Sequence, residues 1–185
     1  YDVLYPVEQR RDVINMQELM RQATRTTSKR SVVFVTNIPC MFQYELQEAF
    51  RSGGYGEYTT VCSRPLAPQR TSHWFKWIQE QGDKVAAVSP QPLNHRATEA
   101  WLSMIFGIKR PTCIIIGGWG HHLASIAKKE AKRRGIPYCF WMEQPNMLRN
   151  PLLLRLHRET YVRWMLHGAK LVMSIGDRAV LWYRR

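Results

Sequence analysis

The sequence lacks a long apolar run and is poor in acidic residues. No apolar stretch reaches the ~18 to 20 residues that a membrane-spanning helix needs, and the first residues do not follow the charged-then-apolar order of a signal peptide. Asp and Glu number 14 against 27 Lys and Arg, which gives a formal net charge of +13. We therefore expect a cytoplasmic protein, soluble or held at the inner face of a membrane, whose electric field favours anionic partners.

The spacing of the cysteines argues against both a disulfide framework and a zinc site. The four are widely scattered: Cys40, Cys62, Cys113 and Cys139. No Cys-x-x-Cys pair exists, and His121-His122 are adjacent rather than one helical turn apart. We expect reduced thiols in a cytosolic setting and no bound metal.

Three motifs of common nucleotide-binding and hydrolytic enzymes are also absent. The first predicted strand runs into Thr36-Asn37-Ile38-Pro39 instead of the Gly-x-Gly-x-x-Gly of a dinucleotide-binding turn. Neither the phosphate-loop pattern Gly-x-x-x-x-Gly-Lys-Ser/Thr nor the nucleophile elbow Gly-x-Ser-x-Gly occurs. These absences disfavour a dinucleotide-dependent oxidoreductase, a phosphate-loop NTPase and an α/β-hydrolase.

What the sequence does contain is a regular alternation of apolar runs and helical patterns. Strands are predicted at 31–36, 57–62, 84–88, 112–116, 136–142 and 170–175. Such alternation predicts an α/β, Rossmann-like, doubly wound parallel sheet with helices on both faces. Residues 8–25 predict an extra amphipathic helix, so we divide the chain into this helix with its linker, 1–30, and the sheet domain, 31–185.

Four helices are predicted between these strands, and a further one begins at Gly176-Asp177. The third spans 123–134, and the fourth spans 151–167 with Arg155, Glu159 and Arg163 on its polar side. The apolar positions that define the first helix are Phe42, Leu46, Ala49 and Phe50. Those of the second are Ala97, Ala100, Trp101, Met104, Ile105 and Ile108, and those of the fourth are Leu153, Leu154, Tyr161, Trp164 and Met165.

The segment Gly117-Gly118-Trp119-Gly120-His121-His122 follows a β-branched run and precedes a helical pattern. In open α/β sheets, ligands bind outside the carboxyl ends of the strands, where this segment would lie. Its glycines allow a close approach of the backbone to a ligand. A tight turn with no ligand explains the same glycines, and both interpretations stay open.

Several segments, taken in order, resemble the amino-terminal half of a GT-B glycosyltransferase of the family 4 type. They are 33–39 followed by 44–46, then 115–119, 140–143 and 168–176, and the resemblance covers roughly residues 31 to 182. It implies two Rossmann-like domains that face each other across a cleft. The half seen here would shape the acceptor side, and a C-terminal half beyond Arg185 would hold the nucleotide-sugar donor.

The resemblance implies transfer of a sugar from a nucleotide-sugar to a hydroxyl acceptor, with retained anomeric configuration. The acceptor would be a lipid-linked or cell-envelope glycan. By this reasoning the chain alone binds no cofactor and is inactive, because its partner C-terminal GT-B domain is missing.

The same resemblance indicates site residues in the loops that follow the strands. His121 is the catalytic candidate, with an exposed histidine at a helix start as the alternative. Glu143 would orient an acceptor hydroxyl or accept backbone N–H bonds, and Trp119 would stack on a sugar or plug the core edge. The remaining acceptor-binding candidates are Asn37, Pro39, Gly117, Gly118, His122 and Asn146.

The basic stretches indicate a second kind of partner. A cationic helix surface with Tyr161 and Trp164 could dock on anionic lipid, although a solvated helix surface is the simpler interpretation. Charge alone would also suit a nucleic-acid-binding module, but no RNA or DNA motif is present. A non-catalytic Rossmann-like partner domain remains a further alternative. The basic residues of the third helix are Lys128, Lys129, Lys132, Arg133 and Arg134.

Overall fold

The computed structural model describes residues 30–38, 41–63, 87–88, 94–143 and 152–184. The strands are β1 (Ser31–Thr36), β2 (Glu57–Cys62), β3 (Ala87–Val88), β4 (Cys113–Gly117), β5 (Tyr138–Glu143) and β6 (Leu171–Ile175). The helices are α1 (Met41–Ser52), α2 (His95–Lys109), α3 (His122–Arg134), α4 (Leu152–Leu166) and α5 (Asp177–Tyr183). The predicted helix at 8–25, Pro39 and Asn146 lie outside the described residues.

The six strands form one sheet in the order β3-β2-β1-β4-β5-β6, and every neighbouring pair is parallel. This is the doubly wound Rossmann order, so the predicted fold class is confirmed. Strand β1 lies at the centre and all six of its residues are buried, as its β-branched run predicts. Strand β5 starts two residues later than predicted, at Tyr138.

Helices cover both faces of the sheet. On one face, Leu46 and Phe50 of α1 pack against Val32, Phe34 and Tyr58. On the other face, residues of α2, α3 and α4 close the larger core over the centre of the sheet. Its largest buried side chains include Leu102, Phe106, Ile114, Ile116, Leu123, Ile126, Phe140 and Met165.

The buried faces of α1 and α2 differ from the predicted ones. In α1, Ala49 is exposed, and Gln43 and Gln47 are buried in its place. In α2, Met104 and Ile108 point to solvent, whereas the buried residues are Thr98, Leu102 and Phe106. Apolar residues occur on several sides of both helices, so the position of the sheet decides which side is buried.

The buried face of α4 also differs in part from the predicted one. Val162 and Met165 face the core, whereas Leu153 and Trp164, predicted on the apolar side, are exposed. Arg163 is also exposed, so the outer surface of α4 mixes apolar and basic side chains. Within the described ranges, no helix is long and apolar enough to cross a membrane.

A buried carboxylate ties α3 to α2. The side chain of Glu130 is only 3% exposed and accepts hydrogen bonds from Arg133 and Arg134. Arg134 Nη2 also donates to the backbone oxygen and to Oγ of Ser103 in α2, both at 2.8 Å. The two guanidinium groups, with Arg133 contributing most, hold the pKa of Glu130 at about 2.

Candidate functional site

The carboxyl ends of β1 and β4 lie side by side at the centre of the sheet. The chain leaves β1 for α1 on one face and leaves β4 for α3 on the opposite face. This is the topological switch point at which doubly wound folds bind ligands. The loop after β1 supplies Asn37, and the loop after β4 supplies the segment from Gly118 to His121.

The two glycines at the end of β4 have separate structural causes. A Cβ at Gly117 would lie 2.9 Å from Cε1 of Phe34 and 3.3 Å from Oγ1 of Thr36, so the neighbouring strand leaves no room for a side chain. Gly118 has a φ of 83°, which favours glycine, and its N–H donates to the Trp141 carbonyl at 2.9 Å. Packing accounts for Gly117 and turn geometry accounts for Gly118. Because neither residue has a side chain, the backbone is bare at this edge of the sheet.

His121 is the N-cap of α3, and both of its ring nitrogens are engaged within the chain. Nδ1 accepts a hydrogen bond from the Ala124 N–H at 3.2 Å. Nε2 lies 2.9 Å from the Gly117 carbonyl oxygen; because a carbonyl can only accept, Nε2 carries the proton.

Burial is the largest influence on this imidazole and lowers the pKa of His121, with the neighbouring His122 acting in the same direction. The Gly117 carbonyl opposes the shift. The imidazole of His121 is therefore neutral, and its two hydrogen bonds link the end of β4 to the first turn of α3. A catalytic role for His121 stays a prediction, and it requires the Nε2–H to exchange Gly117 for a substrate oxygen.

His122 lies beside a histidine that the sequence did not single out. It is the first residue of α3, is exposed, and meets the ring of His95 edge to face at a centroid distance of 4.7 Å. His95 is the first residue of α2, whose N-cap is Asn94. The amino termini of two helices therefore converge next to the β4 loop. No local pattern could predict this, because 27 residues separate the two histidines and only the fold joins them.

Trp119 is partly buried and packs against the larger core. Its ring lies 6.0 Å from that of Tyr161 in α4, which in turn lies 5.6 Å from Trp164. These contacts match a role at the core edge more closely than the stacking role. Stacking on a sugar stays a prediction.

Asn37 is fixed by a residue that sequence reasoning missed. Ser63, directly after β2, places its Oγ 2.6 Å from Asn37 Oδ1 and 3.0 Å from the Asn37 carbonyl oxygen. Thr36 Oγ1 donates to the Ile38 carbonyl at 3.4 Å. The residue that follows β2 therefore fixes the loop that follows β1, because the two parallel strands end side by side.

Glu143 is the last residue of β5 and is exposed. Its backbone carbonyl accepts a hydrogen bond from the Tyr183 hydroxyl at 3.0 Å, which links β5 to α5. The structure thus places seven predicted site residues along one edge of the sheet: Asn37, Gly117, Gly118, Trp119, His121, His122 and Glu143. Among the described residues, no group of three or more His, Cys, Asp and Glu is placed to hold a metal ion.

Comparison of the sequence with family models and with curated proteins gave no match. Solved structures do share the fold. UDP-N-acetylglucosamine 2-epimerase from Rickettsia bellii matches with a TM-score of 0.55 at 10% identity, over 84% of this chain and 41% of the epimerase. The UDP-GlcNAc 2-epimerase from Methanocaldococcus jannaschii matches with a TM-score of 0.51 at 9% identity, over 80% of this chain and 40% of that one.

A Listeria monocytogenes protein assigned to the same activity matches with a TM-score of 0.56 at 10% identity, over 86% of this chain and 43% of that chain. The chain therefore spans about two fifths of the length of these solved structures. They share the Rossmann-like fold of this chain. At this level of identity the likeness is one of fold, and the family 4 assignment stays a prediction.

Proposed function

We propose that this chain forms the acceptor side of a glycosyltransferase that moves a sugar from a nucleotide-sugar donor to a hydroxyl acceptor. The observation that carries the proposal is the position of the β4 loop, whose bare backbone lies at the switch point of the doubly wound sheet. The solved structures that share this fold are named as epimerases of a nucleotide-sugar. The order of the segments that resemble glycosyltransferases adds independent support.

In this proposal the site residues position an acceptor rather than bind the donor. The exposed Glu143 carboxylate accepts a hydrogen bond from the acceptor hydroxyl and orients it. The neutral His121 holds the β4 loop, and its Nε2–H binds a sugar oxygen by exchanging the Gly117 carbonyl for it. The nucleotide-sugar is held by a C-terminal GT-B domain, and transfer proceeds with retained configuration.

The first test uses the full-length protein with radiolabelled UDP-N-acetylglucosamine, UDP-glucose and GDP-mannose, and a cell-envelope glycan and glycolipid extract as the acceptor pool. We expect incorporation of label that depends on the extract. Glu143→Gln should lower kcat/KM by about ten- to a hundredfold, since the neutral amide oxygen accepts the hydrogen bond of the hydroxyl more weakly than the carboxylate does. Glu48→Gln, at a half-exposed carboxylate on α1 paired with Arg51, is the matched control and should have no effect.

The names of the structural neighbours favour a second candidate, epimerisation of a nucleotide-sugar at C2. An epimerase would change UDP-N-acetylglucosamine without any acceptor, and proton NMR of the sugar ring would detect the product. Conversion in the absence of the extract would favour this candidate. No change of any donor, with or without extract, would contradict both.

A further inference from the structure

The outer face of α4 carries apolar side chains that no described residue covers. Leu153 is 81% exposed, Leu156 is 53% exposed and Trp164 is 55% exposed. With 3.6 residues per turn, these three positions share the side of α4 opposite Val162 and Met165, which are buried. A helix of a soluble domain normally turns such residues to the core, so this stripe, which we call the α4 stripe, indicates a binding surface.

Cationic side chains border the α4 stripe. Arg163 is exposed next to Trp164, whereas Lys128 is buried against the Trp164 ring, with its ammonium 4.1 Å from the ring centre. Lys170 is exposed in the turn after α4. Lys132, on α3, lies close to Gly168 in that turn. The carboxylate within α4 is Glu159, whose charge is offset by Arg163 at 2.9 Å.

We propose that the α4 stripe docks on an anionic lipid surface. The leucines would enter the boundary between headgroups and acyl chains, the Trp164 ring would lie at the interface, and the exposed Lys132, Arg163 and Lys170 would meet lipid phosphates. Charge complementarity selects this occupant, because the chain carries a net charge of +13. A second copy docked on the same stripe would bring like charges together, which is unfavourable.

The placement of α4 connects this surface to the candidate site. Leu153 lies in the first turn of α4, the turn closest to the carboxyl end of β5 and therefore to Glu143. Further along, Tyr161 contacts both Trp164 and the site-loop residue Trp119. A lipid-linked acceptor would thus be presented beside the site. This last step depends on the proposed function, whereas the docking itself does not.

Flotation of the full-length protein with vesicles tests the docking. We expect association with vesicles of phosphatidylcholine and phosphatidylglycerol at 7:3, and weak association with phosphatidylcholine alone. The double variant Leu153→Ser/Leu156→Ser should lower the partition coefficient by at least about tenfold, since two leucines no longer leave water. Lys170→Gln should lower it about fivefold, and added salt should lower it for every variant.

Ile108→Ser is the matched control, because Ile108 is 67% exposed on α2, away from the α4 stripe. It should bind vesicles as the unmodified protein does, and urea unfolding should show that all variants keep their stability. Absence of binding to the anionic vesicles, or equal binding by the double variant, would overturn the proposal. Loss of a dimer in the double variant, measured by sedimentation without vesicles, would assign the stripe to a second copy. The vesicles contain neither donor nor acceptor, so their result is independent of the sugar-transfer assays.

Discussion

At the residue scale, Gly117 shows how closely β1 and β4 approach beneath the site loop. A Cβ there would lie 2.9 Å from the buried ring of Phe34, which packs against the rings of Tyr58 and Trp141. Gly117→Ala should therefore lower the free energy of unfolding by about 1–3 kcal/mol. Urea denaturation followed by circular dichroism measures this change.

Gly120 provides the control for this substitution. A Cβ at Gly120 would meet nothing within 4 Å, so Gly120→Ala should leave stability within about 0.5 kcal/mol of the unmodified protein. Equal stability of the two variants would contradict the close approach of Phe34 to Gly117.

His121 is a second residue whose contribution can be measured on its own. His121→Ala removes the side-chain cap of α3 and should cost about 1 kcal/mol of stability. His121→Asn supplies another capping oxygen and should recover most of that loss. In the complete enzyme, low turnover in both variants would indicate a chemical role for the imidazole, whereas recovery with Asn would indicate capping alone.

The same histidine predicts a pH dependence. Burial lowers its folded-state pKa below the unfolded value of 6.5, so the unfolded chain binds more protons between these two values. The stability that His121 contributes is therefore present above pH 6.5 and is lost as the pH falls through the folded pKa. Urea midpoints between pH 8 and pH 5 should fall more steeply for the unmodified protein than for His121→Asn. Parallel pH curves would show that the ring is not held neutral.

At the scale of elements, the contact between α2 and α3 depends on the buried carboxylate of Glu130. Glu130→Gln removes the charge that Arg133 and Arg134 meet, and should lower stability by about 1–3 kcal/mol at neutral pH. Since the pKa of Glu130 is lowered from 4.5 to about 2, its contribution is present above pH 4.5 and is lost as the pH falls towards 2.

Thermal unfolding at pH 7 and pH 3 measures this contribution. The difference in stability between Glu130→Gln and the unmodified protein should shrink on acidification. Glu99→Gln is the control, because its partner Lys129 is well exposed and solvent screens the pair. A loss at Glu99 as large as that at Glu130 would contradict the importance of burial.

The sequence predicted the elements well and the orientation of the helices poorly. The bounds of β1 and β2 were predicted to the residue, because short runs rich in β-branched and aromatic residues, bounded by turn residues, are typical of strands. The predicted α4 face was right for Met165 and Tyr161 and wrong for Leu153 and Trp164. Leucines and aromatics surround that helix, and only the position of the sheet decides which of them are buried.

The candidate site was predictable for the same reason as the strands. Loops at the carboxyl ends of parallel strands meet at one edge, so the order of the strands along the chain is enough to group Asn37, Gly118 and Glu143. Hydrogen bonds across that edge could not be predicted. Ser63 contacts Asn37, and His95 contacts His122, only because β2 ends and α2 begins beside the site.

At the scale of the whole molecule, the net charge of +13 suits both nucleic acid and anionic lipid, and the salt dependence of binding distinguishes these partners. If the positive charge attracts RNA only electrostatically, binding should show no sequence preference. Its affinity should fall steeply with salt and be weak at about 200 mM. Filter binding to a structured RNA and to a homopolymer tests this. Tight, sequence-selective binding at physiological salt, together with no response to nucleotide-sugars, would instead favour a nucleic-acid-binding module.

The rings of Trp119, Tyr161 and Trp164 extend from the site loop to the outer surface of α4, with centroid separations of 6.0 and 5.6 Å. Aromatic groups this close exchange excitation energy, and indole emission shifts with the polarity around it. A sugar arriving at one end and a lipid surface at the other would alter the light emitted by the same three rings. Fluorescence of Trp119 and Trp164 would therefore report both proposed events without a label.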